Sequence, residues 1–174
     1  QNRDGIRTIL LMLNFDPNQS LEFLEKAGAA LQGIPRVRIY IKNHPLYPQD
    51  NLAQYLREIR FPDYQWADGT VEEWLARADV VMMTGGSVSN LETIVTGVPL
   101  IRVSLDGSFD FDSLWHPYRF CPFVHTPQEI RNALEKAFEL DDAGEKELAE
   151  FGRETAESYF EPVTRERLEG FLRN

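Results

Sequence analysis

The chain has 174 residues, 43% of them hydrophobic and 26% charged, the profile of one globular domain with a single core rather than of a disordered chain. Its formal charge of -10 argues against nucleic acid as a partner, because a phosphate backbone is held by clustered Lys and Arg. A small phosphate ligand stays compatible with that charge, since a few backbone N–H groups suffice to hold it.

Residues 7–15 (RTILLMLNF) form a continuous apolar run, predicted as a buried strand that Asp16-Pro17 ends. Residues 20–31 carry Leu21, Leu24, Ala27 and Leu31 at helical spacing. Residues 37–41 (VRIYI) make a second strand, closed by Lys42-Asn43-His44-Pro45. A helix follows over 51–59, with Leu52, Tyr55, Leu56 and Ile59 as its apolar stripe, and then a short strand over 64–67. The helix over 70–78 opens with a Thr-x-x-Glu capping box. Next come a strand over 79–84 (DVVMMT), a tight small-residue loop over 85–89, and a helix over 89–96 stopped by Gly97. Strands over 99–104 and 122–125 precede a helix over 126–140, which opens with a second Thr-x-x-Glu box. Helix continues over 143–160, Glu161-Pro162 breaks it, and 164–172 form a last short helix. This alternation predicts an α/β domain with a Rossmann-like parallel sheet and helices on both faces. One long irregular segment, residues 105–121, is expected to be a functional or mobile loop.

The single cysteine, Cys121, rules out an intrachain disulfide and a thiolate metal cluster, and fits a cytoplasmic setting. No apolar run approaches the ~20 residues of a transmembrane segment, and no signal peptide is expected. The chain opens on Gln1, and it is expected to be a piece of a longer protein.

In an open parallel sheet, ligands sit where strands end and helices begin, and three such turns carry suggestive residues. The strongest is Thr84-Gly85-Gly86-Ser87-Val88-Ser89-Asn90-Leu91-Glu92. Its glycines let backbone approach a ligand, the hydroxyls of Ser87 and Ser89 suit a phosphate, and Glu92 suits ribose hydroxyls. Ser89-x-x-Glu92 is equally a capping box, like those at Thr70 and Thr126, and the two roles can coexist. The second turn is Lys42-Asn43-His44-Pro45, where His44 can donate to a phosphate and Lys42 can simply be solvated. The third, Asp106 to Asp112 (DGSFDFD), groups carboxylates without the spacing of a dedicated calcium loop, so no metal site is assigned. His116 and His125 have no spacing that pairs them with those acids. No G-x-S-x-G elbow, P-loop or zinc motif is present, and Gly85-Gly86 is not G-x-G-x-x-G. The catalytic residues are therefore left unassigned, and no cofactor is expected.

Taken together, His44-Pro45, Ser87-Val88-Ser89, Glu92 and Gly97-Val98-Pro99, with Ala78-Asp79-Val80-Val81-Met82 leading into the serine loop, resemble the C-terminal, donor-binding half of GT-B glycosyltransferases. The likeness is to bacterial transferases of capsule and surface polysaccharide synthesis with His-Pro and serine motifs, and runs from about residue 7 to residue 140. It implies a nucleotide-activated sugar or polyol as ligand, with His44, Ser87 and Ser89 at the phosphates and Glu92 at the ribose or sugar. It also implies a missing N-terminal Rossmann domain that carries the catalytic base, so that the chain is not active alone and any membrane association comes through the missing part. Residues 159–172 would be the helix that crosses back to that domain. Here the serines are spaced as Ser-Val-Ser rather than adjacent. Two other readings stand beside this one: half of an enzyme of the UDP-GlcNAc 2-epimerase type, and a non-enzymatic Rossmann-like module that binds a ligand or a protein.

Overall fold

The computed structural model describes residues 5–45, 49–85, 89–106, 120–160 and 164. The expected helix over 164–172, the break at Glu161-Pro162 and most of the expected loop over 105–121 lie outside these residues.

Among the described residues, strands and helices follow one another as β1 (Arg7–Met12), α1 (Pro17–Leu31), β2 (Val37–Lys42), α2 (Gln49–Glu58), β3 (Tyr64–Trp66), α3 (Val71–Leu75), β4 (Val80–Thr84), α4 (Ser89–Val95), β5 (Leu100–Val103), β6 (Phe123–Val124), α5 (Pro127–Phe138) and α6 (Asp142–Tyr159). The strands form one sheet in the order β3-β2-β1-β4-β5-β6, and every pairing is parallel. Parallel neighbours cannot be joined by a hairpin, so the chain crosses over between them, mostly through helices.

β1 and β4 read as unbroken apolar runs because both faces of the sheet are covered. Ile9, Leu11, Met82, Ile101 and Val103 pack with Phe23 and Leu24 of α1, Leu52 and Leu56 of α2, and Ile130 and Leu134 of α5. Leu10, Met12, Val81, Met83 and Leu100 pack on the other face with Trp74 and Leu75 of α3, Ile94 of α4 and Leu148 of α6. Both expected Thr-x-x-Glu boxes form, at Thr70 and at Thr126.

Two expected boundaries are corrected at the start of the chain. β1 stops at Met12, not at residue 15, and α1 begins at Pro17 rather than at residue 20. Asp16 caps α1 by accepting from the N–H groups of Asn18 and Gln19, and Pro17 follows at the position where its missing N–H costs nothing. Asp16-Pro17 is thus the start of the helix and not the end of the strand, which Met12 closes. No described helix is long and apolar enough to cross a membrane.

Helix α6 lies directly on the last turn of α4. A Cβ at Gly152 would stand 2.6 Å from the carbonyl oxygen of Ile94 and 3.3 Å from that of Val95. Those are backbone atoms, which cannot rotate aside, so the overpacking cost in Gly152→Ala falls at the upper end of about 1–3 kcal/mol. That outweighs the ~1 kcal/mol that Ala gives a helix over Gly. Urea unfolding of Gly152→Ala should show a net loss of about 1–2 kcal/mol, and a variant as stable as the parent would mean that the two helices separate freely.

Candidate functional site

β1 and β2 end level with one another, and β4 ends one residue further on. Met12 is in register with Lys42 on one side and with Met83 on the other. The turns that follow these strands therefore leave the sheet side by side, with the β1 turn in the middle. From β1 the chain builds outward to β2 and β3 on one side, and β4, β5 and β6 lie on the other. In open parallel sheets such a reversal opens a crevice at the carboxyl ends of the strands.

Asn14 ties the middle turn to β4. Its Nδ2 donates to Thr84 Oγ1 (3.2 Å) and to Gln19 Oε1 (2.5 Å), and its Oδ1 accepts the Asp16 N–H (2.9 Å). Ser20 Oγ donates to the Asn14 carbonyl at 3.3 Å. The sequence reading did not single out Asn14, Gln19 or Ser20. The signal was there in Asn14-Phe15-Asp16-Pro17, since Asn and Asp bond neighbouring backbone where a strand turns into a helix.

The β4 turn is held from two sides. Asn90, fully buried, donates from Nδ2 to the Gly85 carbonyl at 2.5 Å and so closes the loop at the start of α4. On the other side, a Cβ at Gly85 would stand 2.9 Å from Phe123 Cε2. Glycine is needed here for close approach of the β6 aromatic ring, a different reason from the ligand approach expected from the sequence. Gly86 and Ser87 lie outside the described residues. Ser89 is the first residue of α4, and its carbonyl accepts from Thr93 Oγ1 at 2.8 Å.

The capping-box reading of Ser89 and Glu92 is corrected. Ser89 is already helical, so it does not stand at the cap position that the box requires. Glu92 is exposed, and among the described residues its carboxylate takes no hydrogen bond or ion pair. At Thr70 and Thr126, by contrast, the glutamate does reach back to the cap backbone.

His44 leaves the end of β2 and meets the ring of Phe15 edge-on, with centroids 6.4 Å apart. Phe15 is 71% exposed, a large apolar ring held in solvent at the carboxyl end of β1. His44 and Gly85 thus stand on opposite sides of the Asn14–Asp16 turn, at the same end of the sheet. Lys42 is not simply solvated. Its Nζ donates to the carbonyls of Ala67 (3.2 Å) and Gly69 (2.5 Å), which fastens the end of β2 to the turn after β3.

Asp106 also has a structural duty. Its carboxylate pairs with Lys26 Nζ at 3.3 Å, and the same ammonium meets Glu22 at 3.1 Å and the Ser104 carbonyl at 2.9 Å. Glu22 in turn accepts the Asp106 N–H. This network fastens the end of β5 to α1. Asp110, Asp112 and His116 lie outside the described residues. His125 is exposed, with its ring edge-on to Phe123 and its N–H donated to Glu129.

Among the described residues, the most buried charged group is one that sequence reasoning passed over. Arg102, 1% exposed, donates from Nε and Nη2 to the Cys121 carbonyl at 3.1 and 2.9 Å, and its guanidinium lies 5.4 Å from the Phe123 ring centroid. The sequence reading places Arg102 in the strand over 99–104 and gives its side chain no role. Arg102 instead braces Phe123, and Phe123 meets Gly85. Burial pushes the Cys121 thiol up to about 12, with the Arg102 charge acting in the opposite direction.

No family model matches the chain, and no curated protein matches it. Solved structures do. HepE of Anabaena, determined with UDP and glucose, aligns with 98% of this chain and 49% of its own at a TM-score of 0.67 and 17% identity. The calicheamicin glycosyltransferase CalG4 aligns over 90% of this chain and 40% of its own, at 0.63 and 19%. The N-terminal domain of a Candida albicans trehalose-6-phosphate phosphatase aligns over 88% and 38%, at 0.62 and 18%. The chain spans less than half the length of each. It has the α/β, Rossmann-like fold of one GT-B half, shared with parts of CalG4 and HepE, and at these identities the likeness is one of fold.

The folded Cys121 thiol keeps its proton to higher pH than an unfolded one, so it contributes stability in full below about pH 8.5 and loses it as pH rises toward 12. At pH 8, iodoacetamide should alkylate the folded chain at least roughly a thousandfold more slowly than the urea-unfolded chain. Comparable rates in the two states would show that β5 and β6 do not seal this residue.

Proposed function

We propose that this domain is the donor-binding half of a glycosyltransferase, and that it holds the nucleotide of an activated sugar or polyol in the crevice at the ends of β1 and β4. The observation that carries this reading is the near-level ending of β1, β2 and β4, which gathers Asn14, Phe15, His44, Thr84 and Gly85 at one end of the sheet. The exposed carboxylate of Glu92 stands beyond them, without a hydrogen bond or ion pair among the described residues.

We assign the phosphates to His44, the Gly85-Gly86 backbone, Ser87 and Ser89, and the ribose or sugar hydroxyls to Glu92. A carboxylate accepts two hydroxyl hydrogen bonds well, and charge-assisted bonds are about twice as strong as neutral ones. HepE, which shares the fold, was determined with UDP-glucose and with UDP and glucose, and this supports the class of ligand. We place the reaction in surface polysaccharide synthesis, on the likeness of His44-Pro45 and Ser87-Val88-Ser89, and its setting in the cytoplasm.

Transfer needs a donor carbon, an acceptor and a base within hydrogen-bond reach of one another, shielded from water. One Rossmann-like domain offers one wall of such a cleft. The chain should therefore bind donor without turning it over, and a second Rossmann domain should supply the acceptor and the base. Acceptor-dependent nucleotide release by the 174-residue chain would overturn that division of labour.

Calorimetry with UDP, CMP, CDP, GDP and ADP at millimolar concentration should detect binding of at least one of them, and silence from all five would end the nucleotide reading. In Glu92→Gln the affinity should fall about tenfold or more. Its thermal unfolding should match the parent, because no described partner is lost. Unchanged affinity would remove Glu92 from the site.

A further inference from the structure

We propose a second anion site at the opposite end of the sheet, formed by Arg38 and Arg77, that takes the phosphate dianion of a phosphomonoester. The site is a cavity of about 430 Å³ near the amino ends of β1 and β2, lined by Thr8, Arg38, Tyr40, Trp74, Arg77 and Asp79. It exists because α3 is short. Five residues of helix carry Trp74 onto Tyr40, with ring centroids 4.5 Å apart. The chain then turns back through Ala76–Asp79 into β4 and leaves the start of β2 uncovered. The Trp74 indole N–H donates to the Asp68 carbonyl, which fixes the ring.

The charges in this cavity do not cancel. Asp79 is already engaged: one carboxylate oxygen accepts the Thr8 N–H at 2.6 Å, and the other pairs with Arg7 at 3.4 Å. Arg77 lies over the Trp74 ring, 5.4 Å from its centroid. Among the described residues no carboxylate pairs with Arg38 or Arg77. The chain has 28 acidic residues against 18 basic ones, so two guanidinium groups without an acid partner in one concavity run against its composition. Thr8 and Tyr40 add hydroxyl-bearing side chains to the lining. A planar guanidinium matches two phosphate oxygens at once, and two of them match the charge of a dianion. The volume leaves room for the organic part of the ester beside the aromatic rings. The phosphate can come from a soluble ester or from the headgroup of a lipid such as phosphatidic acid. This site is remote from the Gly85 crevice and does not depend on what binds there.

The test is an NMR titration of the full chain with inorganic phosphate at constant ionic strength, following the Arg38 and Arg77 Nε–H and the Trp74 indole N–H. All three should shift saturably. In R38Q/R77Q the Trp74 response should weaken tenfold or more, while K146Q on α6 should behave like the parent. Absence of a saturable shift at Arg38 and Arg77 in the parent chain overturns the proposal without reference to any variant. An undiminished Trp74 response in R38Q/R77Q overturns it too. Sedimentation with phosphatidylcholine vesicles containing phosphatidic acid then separates the sources. Retention lost in R38Q/R77Q assigns the lipid headgroup, and absent retention with phosphate still bound assigns a soluble ester.

Discussion

The position of β1 governs everything at the carboxyl end of this sheet. It is bonded to β2 on one side and to β4 on the other, with Met12 level with Lys42 and Met83. No side chain creates the crevice that follows. It arises because the connection after β3 returns the chain to the far side of β1, so that the turns after β1 and β4 leave together and the helices behind them diverge. The Asn14–Thr84 hydrogen bond spans that divergence. A neutral bond of this kind nets about 0.5–1.5 kcal/mol, whereas a fully buried Leu or Ile contributes about 1.5–3. Ile9, Leu10 and Leu11 are all completely buried. The apolar faces therefore hold β1 in place, and Asn14 sets the geometry of a turn whose stability comes from elsewhere.

The same division between stability and geometry recurs on the β5 side. Burying a guanidinium is expensive unless its donors are satisfied, and Arg102 meets that demand through the Cys121 carbonyl. In exchange it gives Phe123 a cationic face to rest on, and Phe123 presses on Gly85. Position therefore passes from a buried charge in β5, through an aromatic ring in β6, to the turn after β4. Lys26 does similar work on the outer side of β5, where Glu22, Asp106 and the Ser104 carbonyl converge on one ammonium. The polar groups that fix the turns stand near the strand ends, while the central strands β1 and β4 are apolar through their middles.

The fold was legible because its signals are local. Unbroken apolar strands, helical stripes and two complete capping boxes each declare their element within a dozen residues, and strict alternation leads to a parallel sheet. The site was legible only in part. His44 and Gly85 could be placed at strand ends from the sequence, and both lie at the carboxyl end of the sheet. Asn14, Gln19 and Ser20 were missed because the strand was drawn through to residue 15. Of the last two apolar residues there, Leu13 still packs in the core and donates its N–H to the Lys42 carbonyl, and only Phe15 stands in solvent. Arg102 was missed because a single arginine in a strand has the same appearance whether its side chain reaches water or a buried carbonyl. Glu92 is the opposite case: the Ser-x-x-Glu spacing suggested a cap, and among the described residues the carboxylate takes no hydrogen bond or ion pair.

The net charge of the chain bears differently on large and small anions. A nucleic acid would meet the protein along a length of surface, and there the excess of acids prevails, since no stripe of Lys and Arg opposes the phosphates. A single phosphate samples a region a few ångströms across. At physiological salt the Debye length is about 8 Å, so exposed acids farther away than that are largely screened. On α6, Glu150 and Glu157 are also occupied locally by Arg153. Under the proposed reading, what a small anion meets at the crevice is set by His44 and the backbone around Gly85. Near the amino ends of β1 and β2 it is set by Arg38 and Arg77. An acidic chain can hold a phosphate at either end of its sheet provided the nearest acids have other partners, and Asp79 does.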